Sequence, residues 1–214
     1  MGSIVFGMED GTVSIFGLVF GVAAAAPDSH AVLLAGGTGA ISAAVSMMAG
    51  TFLDVESTND QAAAKLAQAR DRYQKNPDEE DQTIHHRLVS AGFSDSEAET
   101  VTGIIGKNPD ARLKLAAAID QGTAEATRQS PVVQSLWMFV TDLFAAAVPV
   151  LPFAFFALAT ARVVSLSVTL VLLVGLGIGR SVIGRRRALP TVIETIGIAA
   201  LATAAGLAVG TLIS

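Results

Sequence analysis

The sequence predicts an all-α integral membrane protein, with five transmembrane helices and a cytoplasmic helical insert between the second and the third. Three observations predict it. The chain is 51% hydrophobic and only 15% charged, against roughly 25% charged in an ordinary globular domain. The charges are also gathered in one place: residues 54–128 hold 14 of the 19 acids and 9 of the 14 Lys and Arg. What remains is a set of long apolar runs, and no run with the two-residue period of a strand has useful length. Residues 1–53 therefore carry transmembrane helices 1 and 2, residues 54–130 the insert, and residues 131–214 helices 3 to 5.

A spanning helix needs about 20 residues at ~1.5 Å each. Between Asp10 and Pro27 there are only 16 residues. The first span must then begin upstream, in Gly2-Ser3-Ile4-Val5-Phe6, which draws Glu9 and Asp10 to within the depth of the bilayer. The alternative, a cleaved signal peptide ending at Ala26, lacks the basic start such peptides carry. Pro27-Asp28-Ser29-His30 suits a tight turn. Ala31–Leu53 is free of charge and makes the second span. The insert reads as four helices: Gln61–Gln74, rich in good helix formers; Pro77–Ala91, closed by Gly92; one opened by the capping box Ser94-Asp95-Ser96-Glu97; and Pro109 to Gly122. Gln129–Ala161 contains Asp142 as its only charge and forms the third span, with Pro149 and Pro152 expected to kink it or end it early. Val163 to about Gly184 is the fourth, followed by Arg185-Arg186-Arg187. Pro190–Ser214 is the fifth, with Glu194 near its start.

Nearly all basic residues fall in the insert and the Arg185–Arg187 loop, so the positive-inside rule puts both in the cytoplasm. Five spans then leave the N-terminus cytoplasmic and the C-terminus on the opposite side. Spans one, three and five enter from the same face, and each has an acid early in it: Glu9 and Asp10, Asp142, and Glu194. Span two runs the other way, with Met47 and Met48 near its cytoplasmic end. Ionisable residues within a span usually face a cavity or a partner. Carboxylates and thioethers at one depth are a plausible ligand set for Fe²⁺ or Mn²⁺. The plainer readings are that Glu194 favours a helix N-terminus and that the methionines pack. Asp81 and His85, four apart on an insert helix and close to His86, offer a second ligand set; a solvated acidic helix start accounts for the same residues without metal. Gly17/Gly21 and Gly206/Gly210 each have the spacing that lets helices approach closely, in packing or in dimerisation. Cysteine is absent, which excludes disulfides and thiolate chemistry. With no histidine in a span, an intramembrane serine enzyme lacks its base, and no basic face suits nucleic acid.

Several ordered segments resemble the vacuolar iron transporter family, iron and manganese carriers of plants, yeast and microbes. Residues 10–22, DGTVSIFGLVFGV, are similar to its first span, and residues 43–50, AAVSMMAG, to its second. Residues 147–153, AVPVLPF, are similar to its third, and Ile193-Glu194-Thr195 to the start of its fifth. The resemblance implies a homodimer in the lipid bilayer with a metal path between protomers. It implies metal export from the cytoplasm, through the plasma membrane in a prokaryote or into the vacuole in a eukaryote, often in exchange for protons. Asp10 and Met47 match the family's path aspartate and methionine, and the proton-carrying role falls first on Asp10. Fe²⁺ or Mn²⁺ is substrate here, and no tightly bound cofactor is expected. The family's insert is a glutamate-rich metal collector. Here Glu80 and Asp120 stand for two of its ligands, His86 lies where an acid is often found, and the first insert helix has no glutamate at all. That depletion motivates the rival reading, a non-transporting membrane module whose insert binds a protein partner.

Overall fold

The structure, a computed structural model, describes residues 2–108, 110–115 and 129–213, with side chains for all of these except 2–4, 77, 78, 80 and 213. The chain divides into two compact units, Met1–Leu53 with Pro131–Ser214, and Asp54–Ser130. The helices are α1 (Gly2–Ala25), α2 (Ser29–Lys75), α3 (Pro77–Ser90), α4 (Asp95–Gly106), α5 (Pro131–Val150), α6 (Pro152–Phe155), α7 (Leu158–Ile183) and α8 (Ala188–Ile213). No strand occurs among the described residues. Stretches of α1, α2, α5, α7 and α8 are long and apolar enough to cross a membrane. The all-α membrane class is as the sequence predicts.

In the membrane unit α1 lies against α5, α7 and α8. One core gathers Ile15, Val19 and Ala23 of α1, Val32 and Ala40 of α2, Ala146 and Val150 of α5, Phe153 of α6 and Ala161 of α7. The seam between α1 and α8 is closer still. A Cβ added at Gly21 would lie 2.5 Å from the Gly206 carbonyl oxygen, and one at Gly17 would lie 2.8 Å from that of Ala202. Cβ atoms at Gly206 and Gly210 would collide with the carbonyls of Gly17 and Gly21. The two small-residue motifs thus meet each other within one chain, and packing rather than dimerisation explains them.

The elements depart from the sequence expectation in two places, and the third span ends early at its prolines as expected. The second span and the first insert helix are one helix, α2, because nothing between Leu53 and Gln61 breaks it: Asp54–Asp60 contains neither Gly nor Pro. The third span stops at Val150, not Ala161. Pro149 has no N–H to give, Pro152 opens the single turn of α6, and Phe156 is extended at φ −124° and ψ 152°. The Ser165 hydroxyl of α7 donates to the Pro149 carbonyl at 2.7 Å, which satisfies one acceptor exposed by that break. The fourth span accordingly starts at Leu158, so Arg162 lies within α7, where its guanidinium donates to the Ala23 carbonyl of α1.

In the insert unit, Ala69 and Ile84 are fully buried, with Leu88 and Leu115 against them. The capping box opens α4 as expected: Ser94 Oγ accepts from the Glu97 N–H at 3.4 Å, and Glu97 accepts from the Ser94 N–H at 2.9 Å. Residues 110–115 are helical, and the rest of the expected fourth insert helix lies outside the described residues.

Candidate functional site

The site is built around the third turn of α1. Because α1 begins at Gly2, Glu9 and Asp10 lie well inside the helix. Successive residues point a third of a turn apart, so the two acids serve different neighbours. Glu9 turns inward and its side chain is only 12% exposed. It accepts from Thr195 Oγ1 of α8 at 2.8 Å and pairs with Arg180 of α7 at 3.2 Å. The same guanidinium reaches Glu194 of α8 at 3.4 Å. One arginine therefore ties α1, α7 and α8 together through two carboxylates. Asp10 lies on the outer stripe of α1 with Phe6, Ser14 and Leu18, four residues apart and all exposed. Glu9, Asp10 and Arg180 line a cavity of about 440 Å³ with Phe6, Arg186 and Ile198.

A different face of α1 meets α5. Met138 and Asp142, four apart on α5, face Gly7 and Gly11, four apart on α1. The Met138 sulfur and an Asp142 carboxyl oxygen lie so close over these glycines that a methyl at either would overlap them. Met138 is 6% exposed and Asp142 is 1% exposed. Neither carboxyl oxygen of Asp142 has a hydrogen-bond partner among the described residues.

Of the residues that the sequence singles out, the structure brings Glu9, Asp10, Asp142 and Glu194 around α1, in two sub-clusters rather than one ring. Met47 and Met48 are half-buried on α2. Among the described residues, no group of three or more His, Asp or Glu is close enough to hold a metal ion. In the insert, Asp81 and His85 do not share a ligand position. Asp81 pairs with Arg112, itself held by the Tyr73 hydroxyl at 2.9 Å and stacked on that ring at 4.2 Å. His85 Nε2 sits 3.3 Å from the Asp95 backbone oxygen, and the His86 ring is 6.1 Å from that of His85, centroid to centroid. The Glu80 side chain and Asp120 lie outside the described residues.

Sequence reasoning missed Arg180, Thr195 and Met138. Arg180 had a signal: it is a lone cation in the last turn of an apolar helix, with acids in three other spans. Met138 had a weaker one, its spacing of four from Asp142.

Comparison with known proteins gives a consistent result over the whole chain. The sequence model of the VIT family matches residues 1–211. The chain is similar to a vacuolar iron transporter of Centaurea cyanus, 26% identical over 203 residues that cover 94% of this chain and 83% of the relative. It is also similar to vacuolar iron transporter 1 of Oryza sativa subsp. japonica, 27% identical over 94% of this chain and 81% of the relative. Vacuolar iron transporter 1 of Arabidopsis thaliana is 26% identical with the same coverages.

Proposed function

Because the chain belongs to the VIT family, we propose that it carries a divalent metal ion, Fe²⁺ or Mn²⁺, out of the cytoplasm in exchange for protons. Metal transport as such is supported by relatives named vacuolar iron transporters. The choice of ion, the proton exchange and the direction are the proposal.

One observation carries it. Asp10 is a carboxylate on the exposed stripe of an apolar helix, opening on a cavity at membrane depth. A charged group facing hydrocarbon is strongly disfavoured unless a partner or an aqueous path meets it. A second copy laid against the Phe6–Leu18 stripe supplies both, and pairs Asp10 with its symmetry mate. Two carboxylates facing each other are a hard-oxygen site for a dication. Met47 on α2 adds a softer thioether where the path continues, which favours iron or manganese over magnesium. The insert enters as a cytoplasmic structural element, because Asp81 is engaged by Arg112. The host membrane follows the cell type: vacuolar in a eukaryote, plasma membrane in a prokaryote.

The test is metal uptake into proteoliposomes with the pH gradient varied independently of the metal gradient. Asp10→Ala and Met47→Ala should each cut uptake by an order of magnitude or more, about 1.4 kcal/mol per tenfold. Unchanged uptake in both variants removes the site.

A further inference from the structure

Arg180 lines the same cavity as Asp10, and it is loosely held. Its guanidinium is shared between carboxylates on two helices, Glu9 at 3.2 Å and Glu194 at 3.4 Å, and is 34% exposed. Charge-assisted bonds of this type usually close to about 2.7–2.9 Å. Among the described residues no other side chain bonds it. Arg112 of the insert is the contrast. Its side chain is 7% exposed, pairs with Asp81, donates to the Tyr73 hydroxyl at 2.9 Å and stacks on that ring at 4.2 Å. Arg112 is locked in place, whereas Arg180 is stretched between two acids and open to solvent. Glu9 does not depend on Arg180 for its aim, because Thr195 Oγ1 donates to the same carboxyl oxygen at 2.8 Å. The cavity is lined by two acids, Glu9 and Asp10, and two arginines, Arg180 and Arg186, so its formal charges balance. A compact space of about 440 Å³ is roughly 9 Å across, about one Debye length at physiological salt, so the guanidinium acts on any ion within it.

We propose that Arg180 is a tethered counter-cation that an entering dication displaces, and that it thereby decides which ions reach Asp10. The proposal rests on the metal-carrying reading of Asp10 above and adds the residue that sets ion preference. With the guanidinium in place Glu9 is neutralised, and an arriving cation meets a like charge. A compact dication brings twice the charge to the carboxylates and attracts them more strongly than one delocalised charge held at 3.2 and 3.4 Å. A monovalent ion brings no more charge than the guanidinium it would replace, and it lacks the guanidinium's hydrogen bonds. Exchange is therefore favourable for Mn²⁺ or Fe²⁺ and unfavourable for K⁺. The released side chain has a seat nearby: Arg180 lies in the last turn of α7, where the helix's carbonyl ends attract a cation. No covalent bond changes in the exchange. If Arg180 were only a fastener between α1, α7 and α8, its loss would lower stability and leave ion preference untouched.

The experiment uses the full chain in proteoliposomes with Mn²⁺ as the probe. Arg180→Gln should lower the half-saturating Mn²⁺ concentration about tenfold or more, the scale of removing one charge from so small a cavity. It should also let K⁺ compete with Mn²⁺, measured against N-methylglucamine at equal ionic strength; in the wild type the two salts should act alike. Arg180→Lys keeps the charge and should keep the wild-type preference. A loss confined to folded protein or maximal rate, with half-saturation and K⁺ sensitivity unchanged, is the fastener outcome and overturns the proposal. An Arg180→Lys that behaves like Arg180→Gln overturns it too. If Arg180→Gln folds poorly, the wild type decides. Mn²⁺, and not K⁺, should raise phenylglyoxal labelling of Arg180, read by mass spectrometry against Arg185 and Arg187; labelling that ignores Mn²⁺ overturns the displacement. Mn²⁺ uptake that is lost in Asp10→Ala, with Arg180 labelling unmoved, keeps the metal path and sinks the displacement alone. A wild type that moves no Mn²⁺ removes the transport reading, and the labelling still decides whether a dication displaces the arginine.

Discussion

A single methyl group placed between α1 and α8 should loosen the membrane unit. In Gly21→Ala the new Cβ would start 2.5 Å from the Gly206 oxygen and 2.8 Å from its carbonyl carbon. Separations of 3.0–3.4 Å are already tighter than most real Cβ contacts. The helices must therefore part by roughly 0.5–1 Å at the crossing, and both partners are backbone, so no side chain can swing away. That displacement also opens the approaches of Gly17, Gly206 and Gly210, and the small core of Val13, Leu173 and Ala199 beside them. Overpacking of this kind costs about 1–3 kcal/mol. Gly197→Ala on the same α8 is the control: nothing lies within 4 Å of its Cβ position. That substitution should be neutral or stabilise by up to about 1 kcal/mol through helix propensity. Thermal unfolding in detergent micelles, followed by helix signal and protease resistance, measures both. Equal stability of the two variants would refute the close-contact argument, because it would mean that α1 and α8 are not joined through bare backbone.

Three further outcomes are expected. Arg180→Gln should destabilise the membrane unit by about 1–3 kcal/mol, less than a wholly buried pair because the guanidinium is 34% exposed. Adding Glu9→Gln should return much of that loss, and a double-mutant cycle in micelles gives the coupling. Ser165→Ala removes the hydroxyl that serves the Pro149 carbonyl and should cost about 1–3 kcal/mol in the same melts, whereas Ser167→Ala, whose hydroxyl is exposed and bonds its own helix, should cost far less. In the insert, the Ser94 hydroxyl and N–H hold the Glu97 carboxyl below its ordinary 4.5. A depressed carboxyl contributes its stability above the unfolded value and loses it as pH falls through the folded value. Hydrogen exchange at the first α4 amides should therefore quicken as pH drops below about 4.5, beyond the intrinsic pH trend, and Glu97→Gln should abolish the extra term.

The membrane class and the first helix were legible because they rest on counting. Sixteen residues between Asp10 and Pro27 are too few to span, so α1 had to begin near Gly2, and it does. The α4 start was legible because a capping box is local chemistry. The continuity of α2 was not. A change of composition at Leu53 looks like a boundary, but a helix ends only where its hydrogen-bond ladder is broken, and Asp54–Asp60 contains no breaker. At the site, equal depth along the spans was the reason for expecting the acids to meet. Depth says nothing about azimuth, however. Which face each acid presents depends on how α1 is rotated against α5 and α8, and Gly7, Gly11, Gly17 and Gly21 set that rotation by where backbone can touch backbone or side chain. For the same reason Arg180 could be counted but not placed.

The pairing of α1 with α8 has a consequence for biosynthesis. Residues 26–187 lie between these two helices in the chain. A ribosome feeding the bilayer delivers α1 long before the surface that completes it exists, and contacts of such sequence separation form late. Until α8 arrives, Glu9 is without Thr195 and the arginine it shares with Glu194 has only one acid to hold. The acidic turn of α1 therefore stays half-assembled until α8 has followed it into the bilayer.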